Sequence, residues 1–368
     1  MLEEGHRWWW LWLVGVHGIL MAAVVSSDTL VESPHVPAMF VFGDSLVDDG
    51  NNNFLSSMAR SNYYPYGCDF SGGATGRFTN GRTVADMLGA LLGLPYVPAF
   101  ANPTTVGSRI LGGVNYASAA GGILDETGQN LGQRYGLSQQ VVNFEISLNE
   151  LRGMMSATNL TQYLAKSIAI VVVGSNDYIN NYLLPGSLYS SYNPRDYANL
   201  LLNRFARQIV ALHSVGLRKL MLAGLGPLGC IPNQRASGRA PRGRCVDSVN
   251  EMLGSYNEGL KSLVDQLNAR YQGATFLYAN TYAVFGDILN DPASYGFKVI
   301  DTACCGLGRN QGQITCLPLA MPCANRNDYL FWDAFHPTEA ANAVFAWRAY
   351  LGPPNDCYPI NLQQMALL

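Results

Sequence analysis

Residues 40–51 read FVFGDSLVDDGN, an apolar segment of strand length that runs into a polar turn containing glycine. Ser45 lies where the segment changes character. Near the other end of the chain, Asp333 and His336 lie three residues apart. A hydroxyl, an imidazole and a carboxylate are the groups that acyl transfer through a serine needs. The sequence therefore predicts Ser45 as nucleophile, His336 as general base and Asp333 as the group that orients the imidazole.

His336 is the histidine best suited to act as the base. Beyond the N-terminal apolar segment the chain holds two others, His35 in a proline-flanked stretch and His213 near the end of a predicted helix. Both are interpreted as surface or helix-end residues. Imidazole titrates near neutrality, which suits proton transfer from a serine. Because Pro337 disfavours helix at His336, a turn over 333–336 is expected to point both catalytic side chains inward.

Apolar runs of strand length alternate with helical patterns along the chain. The runs cover 38–42, 168–173, 220–223 and 275–278. Helices with apolar residues at a spacing close to 3.6 are predicted over 194–213 and 246–271. Near-continuous apolar strands are typical of a parallel sheet covered on both faces. The sequence predicts an α/β fold, a three-layer α/β/α sandwich with a mostly parallel central sheet.

Length and charge limit the functions that the chain can have. Residues 28–368 are predicted to form a single domain, in which the loop-rich stretches 50–80 and 95–136 shape a cleft. The formal net charge of −3 over 368 residues gives no electrostatic basis for binding nucleic acid. The sequence does not indicate the oligomeric state.

The first 27 residues are predicted to be a secretory signal peptide. A short flank containing Arg7 precedes an apolar run that extends to Val25, and Ser26 and Ser27 follow. This order is typical of a cleaved leader. A retained membrane anchor is the alternative, since about 18 apolar residues can span a bilayer. The small residues favour cleavage, which predicts a secreted protein without stable membrane insertion.

The eight cysteines all lie beyond the leader, and an even number in an exported chain predicts disulfides. The expected pairs are Cys230 with Cys245, and Cys304 or Cys305 with Cys316 or Cys323. Their spacing is poor for zinc, and no metal site is predicted. Asn159 begins the sequence Asn-Leu-Thr and is predicted to be an N-glycosylation site on a surface loop.

Four short blocks occur in order along the chain. They are Gly43-Asp44-Ser45-Leu46, Asn115-Tyr116-Ala117-Ser118 running into Gly121-Gly122, Gly174-Ser175-Asn176-Asp177, and Asp333 with His336. In this order and spacing the chain resembles the GDSL (SGNH) esterase/lipase family, in particular its plant-type secreted branch. The resemblance covers essentially the whole mature chain. It implies the same sandwich fold and the hydrolysis of carboxylic esters.

The resemblance also implies an oxyanion hole. Its donors would be the backbone N–H of Ser45, the side-chain amide of Asn176 and the N–H of Gly121, with Gly122 as the alternative. Donors aimed at the developing negative charge are commonly the largest catalytic contribution. No cofactor is implied, because the triad is chemically complete without one. The G-x-S-x-G elbow of the common α/β-hydrolases does not occur in the sequence, which argues against that architecture.

Three functions are compatible with these residues. The leading hypothesis is a secreted serine esterase that cleaves a small-molecule, lipid or acylated-glycan ester through an acyl-enzyme. An acyltransferase would share the first half-reaction and pass the acyl group to an alcohol or sugar. A non-catalytic glycan- or lipid-binding protein is the third hypothesis, and the complete triad argues against it. Such a protein would use the loop aromatics Tyr63, Tyr64, Tyr66, Phe70 and Phe78.

Overall fold

A computed structural model describes residues 35–239, 241 and 244–368. The predicted signal peptide and the first residues of the predicted domain lie outside this part. The described strands are β1 (Met39–Gly43), β2 (Ile168–Val172), β3 (Lys219–Ala223), β4 (Thr275–Ala279), β5 (Val299–Ala303), β6 (Tyr329–Phe331) and β7 (Cys357–Tyr358). The described α-helices are α1 (Val84–Leu91), α2 (Leu137–Met154), α3 (Ala157–Lys166), α4 (Ser175–Asp177), α5 (Pro194–Ser214), α6 (Pro232–Ala236), α7 (Asp247–Arg270), α8 (Thr281–Asn290), α9 (Glu339–Leu351) and α10 (Leu362–Ala366).

The main sheet has five strands in the order β1-β2-β3-β4-β7. Its first four strands are parallel and in register, so that Gly43 pairs with Val172 and Ala223 pairs with Ala279. The short β7 adds an antiparallel edge beside β4. These four parallel strands are those that the apolar runs predict, and each end agrees within one residue. Their carboxyl ends meet at one edge of the sheet.

Helices cover both faces of this sheet, which confirms the predicted α/β/α sandwich. On one face, Phe40, Phe42 and Val171 pack against α2, α3, α5 and α7. On the other, Val41, Ile170 and Met221 pack against α1, α9 and α10. Successive side chains of a strand point to opposite faces, so a strand buried on both sides needs apolar residues at almost every position. This requirement explains the continuous apolar runs.

Three disulfides close loops near the strand ends. They join Cys230 to Cys245, Cys304 to Cys323 and Cys305 to Cys316. The structure thereby resolves the two pairings that the sequence leaves open. Cys68 and Cys357 are unpaired.

Asn159 lies in the first turn of α3 and is exposed. The prediction of a surface position therefore agrees with the structure, whereas the prediction of a loop is wrong. The reason is the cap: Ser156 accepts a hydrogen bond from the Asn159 N–H at 3.2 Å and starts the helix two residues before the sequon. Among the described residues, no helix has both the length and the apolar character that crossing a bilayer would require.

A buried ion pair fixes the loop region against α1. The guanidinium of Arg77 donates two hydrogen bonds of 2.7 Å to the carboxylate of Asp86, and both side chains are buried. Asp86 also accepts the N–H of Thr83 at 2.8 Å and so caps α1. One carboxylate thus orders both the end of the loop region and the start of the helix.

Removing one member of this pair should destabilise the fold strongly. We expect Asp86→Ala to lower the free energy of unfolding by about 3–5 kcal/mol, because the Arg77 charge stays buried without its partner. The control is Lys298, which forms an exposed ion pair with Asp328. Lys298→Ala should change the free energy of unfolding by no more than about 1 kcal/mol. Urea denaturation followed by circular dichroism measures both, and equal losses in the two variants would contradict the prediction.

Candidate active site

Ser45 lies immediately beyond the carboxyl end of β1. Gly43 ends the strand so close to β2 that a Cβ atom there would lie 2.3 Å from the carbonyl oxygen of Val172, which only glycine tolerates. The Asp44 N–H then donates to the same carbonyl at 3.0 Å. The Asp44 carboxylate accepts the N–H of Leu46 at 3.0 Å and closes the turn around the serine. Ser45 itself is half-buried.

Asp333 and His336 lie in a tight turn that follows β6. One carboxylate oxygen of Asp333 accepts the backbone N–H groups of Phe335 at 2.9 Å and His336 at 2.8 Å. The Trp332 N–H donates to the carbonyl of His336 at 2.8 Å. Thr338 then caps α9 by accepting the N–H of Ala341. The turn therefore points the carboxylate and the imidazole toward each other, as the proline after His336 predicts.

The fold brings together Ser45 and His336, which lie 291 residues apart in the sequence. The Ser45 hydroxyl lies 2.7 Å from Nε2 of His336, and Nδ1 of His336 lies 2.8 Å from Asp333. Since Nδ1–H donates to the carboxylate, Nε2 is free to accept the serine proton. The ring of Phe78 packs beside the imidazole, with centroids 5.0 Å apart. The three groups form one hydrogen-bonded series.

Tyr66 is a further member of this series that sequence reasoning did not assign. Its hydroxyl donates to the second oxygen of Asp333 at 2.5 Å. Burial by itself raises the pKa of Asp333, but the His336 ring, the Tyr66 hydroxyl and the Phe335 N–H outweigh it and hold that pKa below its usual value. Asp333 is therefore an ionised partner for the imidazole. Tyr66 and Phe78 are both buried, so neither belongs to an exposed binding surface.

Asn176 follows β2 and lies at the same edge of the sheet as Ser45. Its side-chain amide donates one hydrogen bond to the carbonyl of Gly121 at 2.9 Å. The Asn180 amide donates to its oxygen at 2.7 Å and fixes the orientation of the side chain. One N–H of the Asn176 amide remains for a ligand in the cavity that Asn176 lines.

Gly121, the predicted backbone donor to the oxyanion, uses its N–H within the protein. The Gly121 N–H donates to the carbonyl of Ser118 at 3.0 Å and closes a turn. Neither Gly121 nor the alternative Gly122 lines the cavity, whereas Ala120 does. Ala120 holds a positive φ of 65°. Within the described part of the chain, the N–H groups of Ala120 and Ser45 donate to no protein acceptor.

Two polar side chains of the 48–52 turn fix the peptide that carries the Ala120 N–H. Asn52 donates to the carbonyl of Ala119 at 3.0 Å, and Asp48 accepts the Ala119 N–H at 3.0 Å. In a trans peptide the N–H points away from the carbonyl. The contact with Asn52 therefore turns the N–H of Ala120 in the opposite direction.

Asp177 joins the segment after β2 to the same glycine-containing loop. Its carboxylate accepts the N–H groups of Ile123 at 2.8 Å and Leu124 at 3.0 Å and the hydroxyl of Thr127 at 2.7 Å. Burial raises its pKa to about 6. The sequence indicated Asp177 only as part of a turn, because its partners lie 50 to 54 residues away.

An apolar cavity of about 350 Å³ opens beside the triad. Ser45, Asn176 and His336 lie on its wall, together with residues of both loop-rich stretches that the sequence predicts to shape a cleft. Within the described residues, no group of three or more histidine, cysteine, aspartate or glutamate side chains is arranged to hold a metal ion.

This arrangement is that of a serine hydrolase whose nucleophile lies near the amino end of the chain. The sequence profile of the GDSL-like lipase/acylhydrolase family matches residues 39–348. Three Arabidopsis thaliana proteins are similar over almost their whole length. GDSL esterase/lipase At1g71250 is 59% identical over 96% of this chain and 97% of the relative. GDSL esterase/lipase At5g08460 is 55% identical over 90% of this chain and 88% of the relative. GDSL esterase/lipase 7 is 49% identical over 91% of this chain and 93% of the relative. The chain belongs to this family of ester-hydrolysing enzymes, which confirms the resemblance seen in the sequence.

Asp44 gives the site a pH-dependent cost in stability. It is buried, one of its oxygens has no hydrogen-bond partner within the described residues, and burial raises its pKa from 3.8 to about 7. Between these two values the unfolded chain loses a proton that the folded chain retains. The contribution of Asp44 to stability therefore falls as the pH rises from about 4 to about 7.

Asp44→Asn should remove this cost, because asparagine does not ionise. We expect the variant to exceed the wild type in free energy of unfolding by on the order of 2–4 kcal/mol at pH 8, with no gain at pH 4. Urea unfolding at the two pH values measures the difference. Asn149→Ala, at an exposed, non-ionising position on α2, is the control and should change the free energy of unfolding equally at the two pH values. An equal effect of Asp44→Asn at both pH values would contradict the prediction.

Proposed function

We propose that the chain is a secreted serine esterase that cleaves carboxylic esters through an acyl-enzyme on Ser45. The observation that supports this proposal most directly is the series Ser45–His336–Asp333, with distances of 2.7 and 2.8 Å, at the wall of an apolar cavity. As the Ser45 oxygen bonds to the ester carbonyl carbon, its proton passes to Nε2 of His336. The imidazolium then gives that proton to the departing alcohol as the ester C–O bond breaks.

Water completes the cycle at the acyl-enzyme. His336 accepts a proton from the attacking water, the water oxygen bonds to the acyl carbon, and the bond to Ser45 breaks as the serine regains its proton. Asp333 stays ionised throughout and stabilises the imidazolium in both half-reactions. The carboxylic acid is released and the enzyme returns to its starting protonation state.

Three donors are assigned to the oxyanion. They are the N–H groups of Ser45 and Ala120 and the side-chain amide of Asn176. The support for Ala120, in place of the predicted Gly121, is its position on the cavity and the contact of Asn52 that directs its N–H away from the Ala119 carbonyl. All three donors are neutral and held by backbone pairing or hydrogen bonds, so little reorganisation accompanies the reaction.

Secretion is part of the proposal. It rests on the predicted signal peptide over residues 1–27 and on the three disulfides, which form and persist in oxidising compartments. The exposed Asn159 is proposed to carry an N-linked glycan, since its sequon is accessible on α3.

Labelling and turnover test the assignment of Ser45. Wild-type protein should react with a fluorophosphonate probe at Ser45 and release p-nitrophenol from an acyl ester. Ser45→Ala should lose both activities while keeping its circular dichroism spectrum. Unchanged turnover in that variant would contradict the proposal, and so would a product mixture in which an added alcohol captures most of the acyl group, since transfer would then be the main reaction.

The Asn176 amide should act mainly on the transition state. We expect Asn176→Ala to lower kcat by about 10²–10³, with a much smaller change in KM, because one oxyanion donor is lost. Asn149→Ala, at an exposed position on α2, is the matched control and should leave both constants unchanged. Steady-state kinetics on a p-nitrophenyl ester measures the effect. A loss confined to KM would assign Asn176 to ground-state binding instead.

A further inference from the structure

We propose that the inner part of the cavity, at the ends of β2, β3 and β4, binds an unbranched fatty acyl chain of about ten carbons. The substrates would then be esters of medium- to long-chain fatty acids rather than acetyl esters. This inference rests on the proposed function, because the chain it binds would be the acyl part of the Ser45 ester. The basis is the course of the cavity along the carboxyl edge of the sheet.

The floor of the inner cavity is a row of residues at the ends of the parallel strands. Val172, Ala223 and Ala279 end β2, β3 and β4 and all line the cavity. They lie on the same face of the sheet. Gly43, the last residue of β1, pairs with Val172 in the same row and leads directly to Ser45. The cavity therefore runs from the nucleophile across the ends of the next three strands.

The length of this row sets the length of the chain that fits. Parallel strands lie about 4.8 Å apart, so the three intervals from β1 to β4 span about 14 Å. An extended hydrocarbon advances about 1.25 Å per carbon, given carbon–carbon bonds of about 1.52 Å at tetrahedral angles. The floor therefore accommodates about ten to twelve carbons.

The walls of the inner cavity are apolar and buried. Val284 and Phe285 of α8 and Phe331 of β6 are each less than one-tenth exposed. The ring of Phe285 lies 5.5 Å from that of Phe331 and 5.3 Å from that of Phe345, measured between centroids. Protein interiors seldom leave such a volume unfilled. A preformed apolar cavity beside reactive side chains is the usual form of a ligand site.

Polar groups close the far end. Asp356 lines the cavity there and is buried, and Arg348 donates to it at 2.6 Å and to Asp287 at 2.7 Å. A hydrocarbon that reached Asp356 and Arg348 would bury no additional apolar surface and would desolvate their charges. The cavity therefore limits the length of the acyl chain at this end. The opposite, loop-lined end of the cavity contains the exposed Met58 and opens toward solvent, so it suits the departing alcohol.

The chain-length profile of the enzyme tests this proposal. With p-nitrophenyl esters from butyrate to dodecanoate, kcat/KM should rise by about two- to fourfold per methylene up to about ten carbons and then level off. Ala349→Phe, which fills the cavity from α9, should reduce the decanoate-to-butyrate ratio at least tenfold. Ala343→Phe, at an exposed position on the same helix, should keep the wild-type ratio. A ratio does not depend on the fraction of protein that folds.

Binding without turnover gives a second, independent measurement. Isothermal titration of decanoate into the Ser45→Ala variant should show saturable binding with a negative heat-capacity change, and the Ser45→Ala/Ala349→Phe double variant should bind at least tenfold more weakly. A flat chain-length profile in active enzyme, or an Ala349→Phe ratio equal to wild type, would overturn the proposal. Absence of turnover on every ester would defeat the proposed function instead, and the decanoate titration would then decide the role of the cavity alone.

Discussion

The pairing of β1 with β2 is the constraint on which the rest of the site depends. Gly43 and Val172 approach so closely that no side chain fits between them, and this contact fixes how far β1 extends before the chain turns at Ser45. Asn176 leaves the sheet from the neighbouring strand at the same edge. The hydroxyl proposed as nucleophile and the amide proposed to stabilise the oxyanion thus both follow strands that backbone hydrogen bonds hold in register, and sites built on strands are more precise than sites on loops.

Buried carboxylates complete this positioning at a cost in stability. Burial raises the pKa of Asp44 to about 7 and that of Asp48 and Asp177 to about 6. Asp48 and Asp177 each accept several backbone N–H groups, and both reach the loop that holds Ala120. The folded state tolerates the desolvation of these carboxylates because their hydrogen bonds fix a loop that has no regular secondary structure. Strain and polar burial of this kind are common where a fold trades stability for a preorganised site.

The sequence predicts the fold and the chemical groups more fully than the geometry of the oxyanion hole. The four parallel strands follow from their continuous apolar runs, and Ser45, Asp333 and His336 follow from the chemistry that their side chains share. The sequence favours Gly121 as the backbone donor, whereas the structure engages the Gly121 N–H with Ser118 and gives the positive φ to Ala120, next to groups held by the distant turn at 48–52. Tyr66 carries no local signal either, since its partner lies 267 residues away.

The sequence does not predict the inner cavity either, because its floor consists of single small residues from separate strands. Residues so far apart in the sequence leave no local pattern. The position of the cavity has a mechanistic consequence. The methylenes of an acyl chain lying on the row from Val172 to Ala279 extend away from the reacting carbon, and the register of the sheet relates that row directly to Ser45. Binding free energy from remote methylenes can therefore be used to place the carbonyl against the hydroxyl and the three donors. On this proposal the alcohol side faces the loops at 50–80 and 95–136, which also line the cavity.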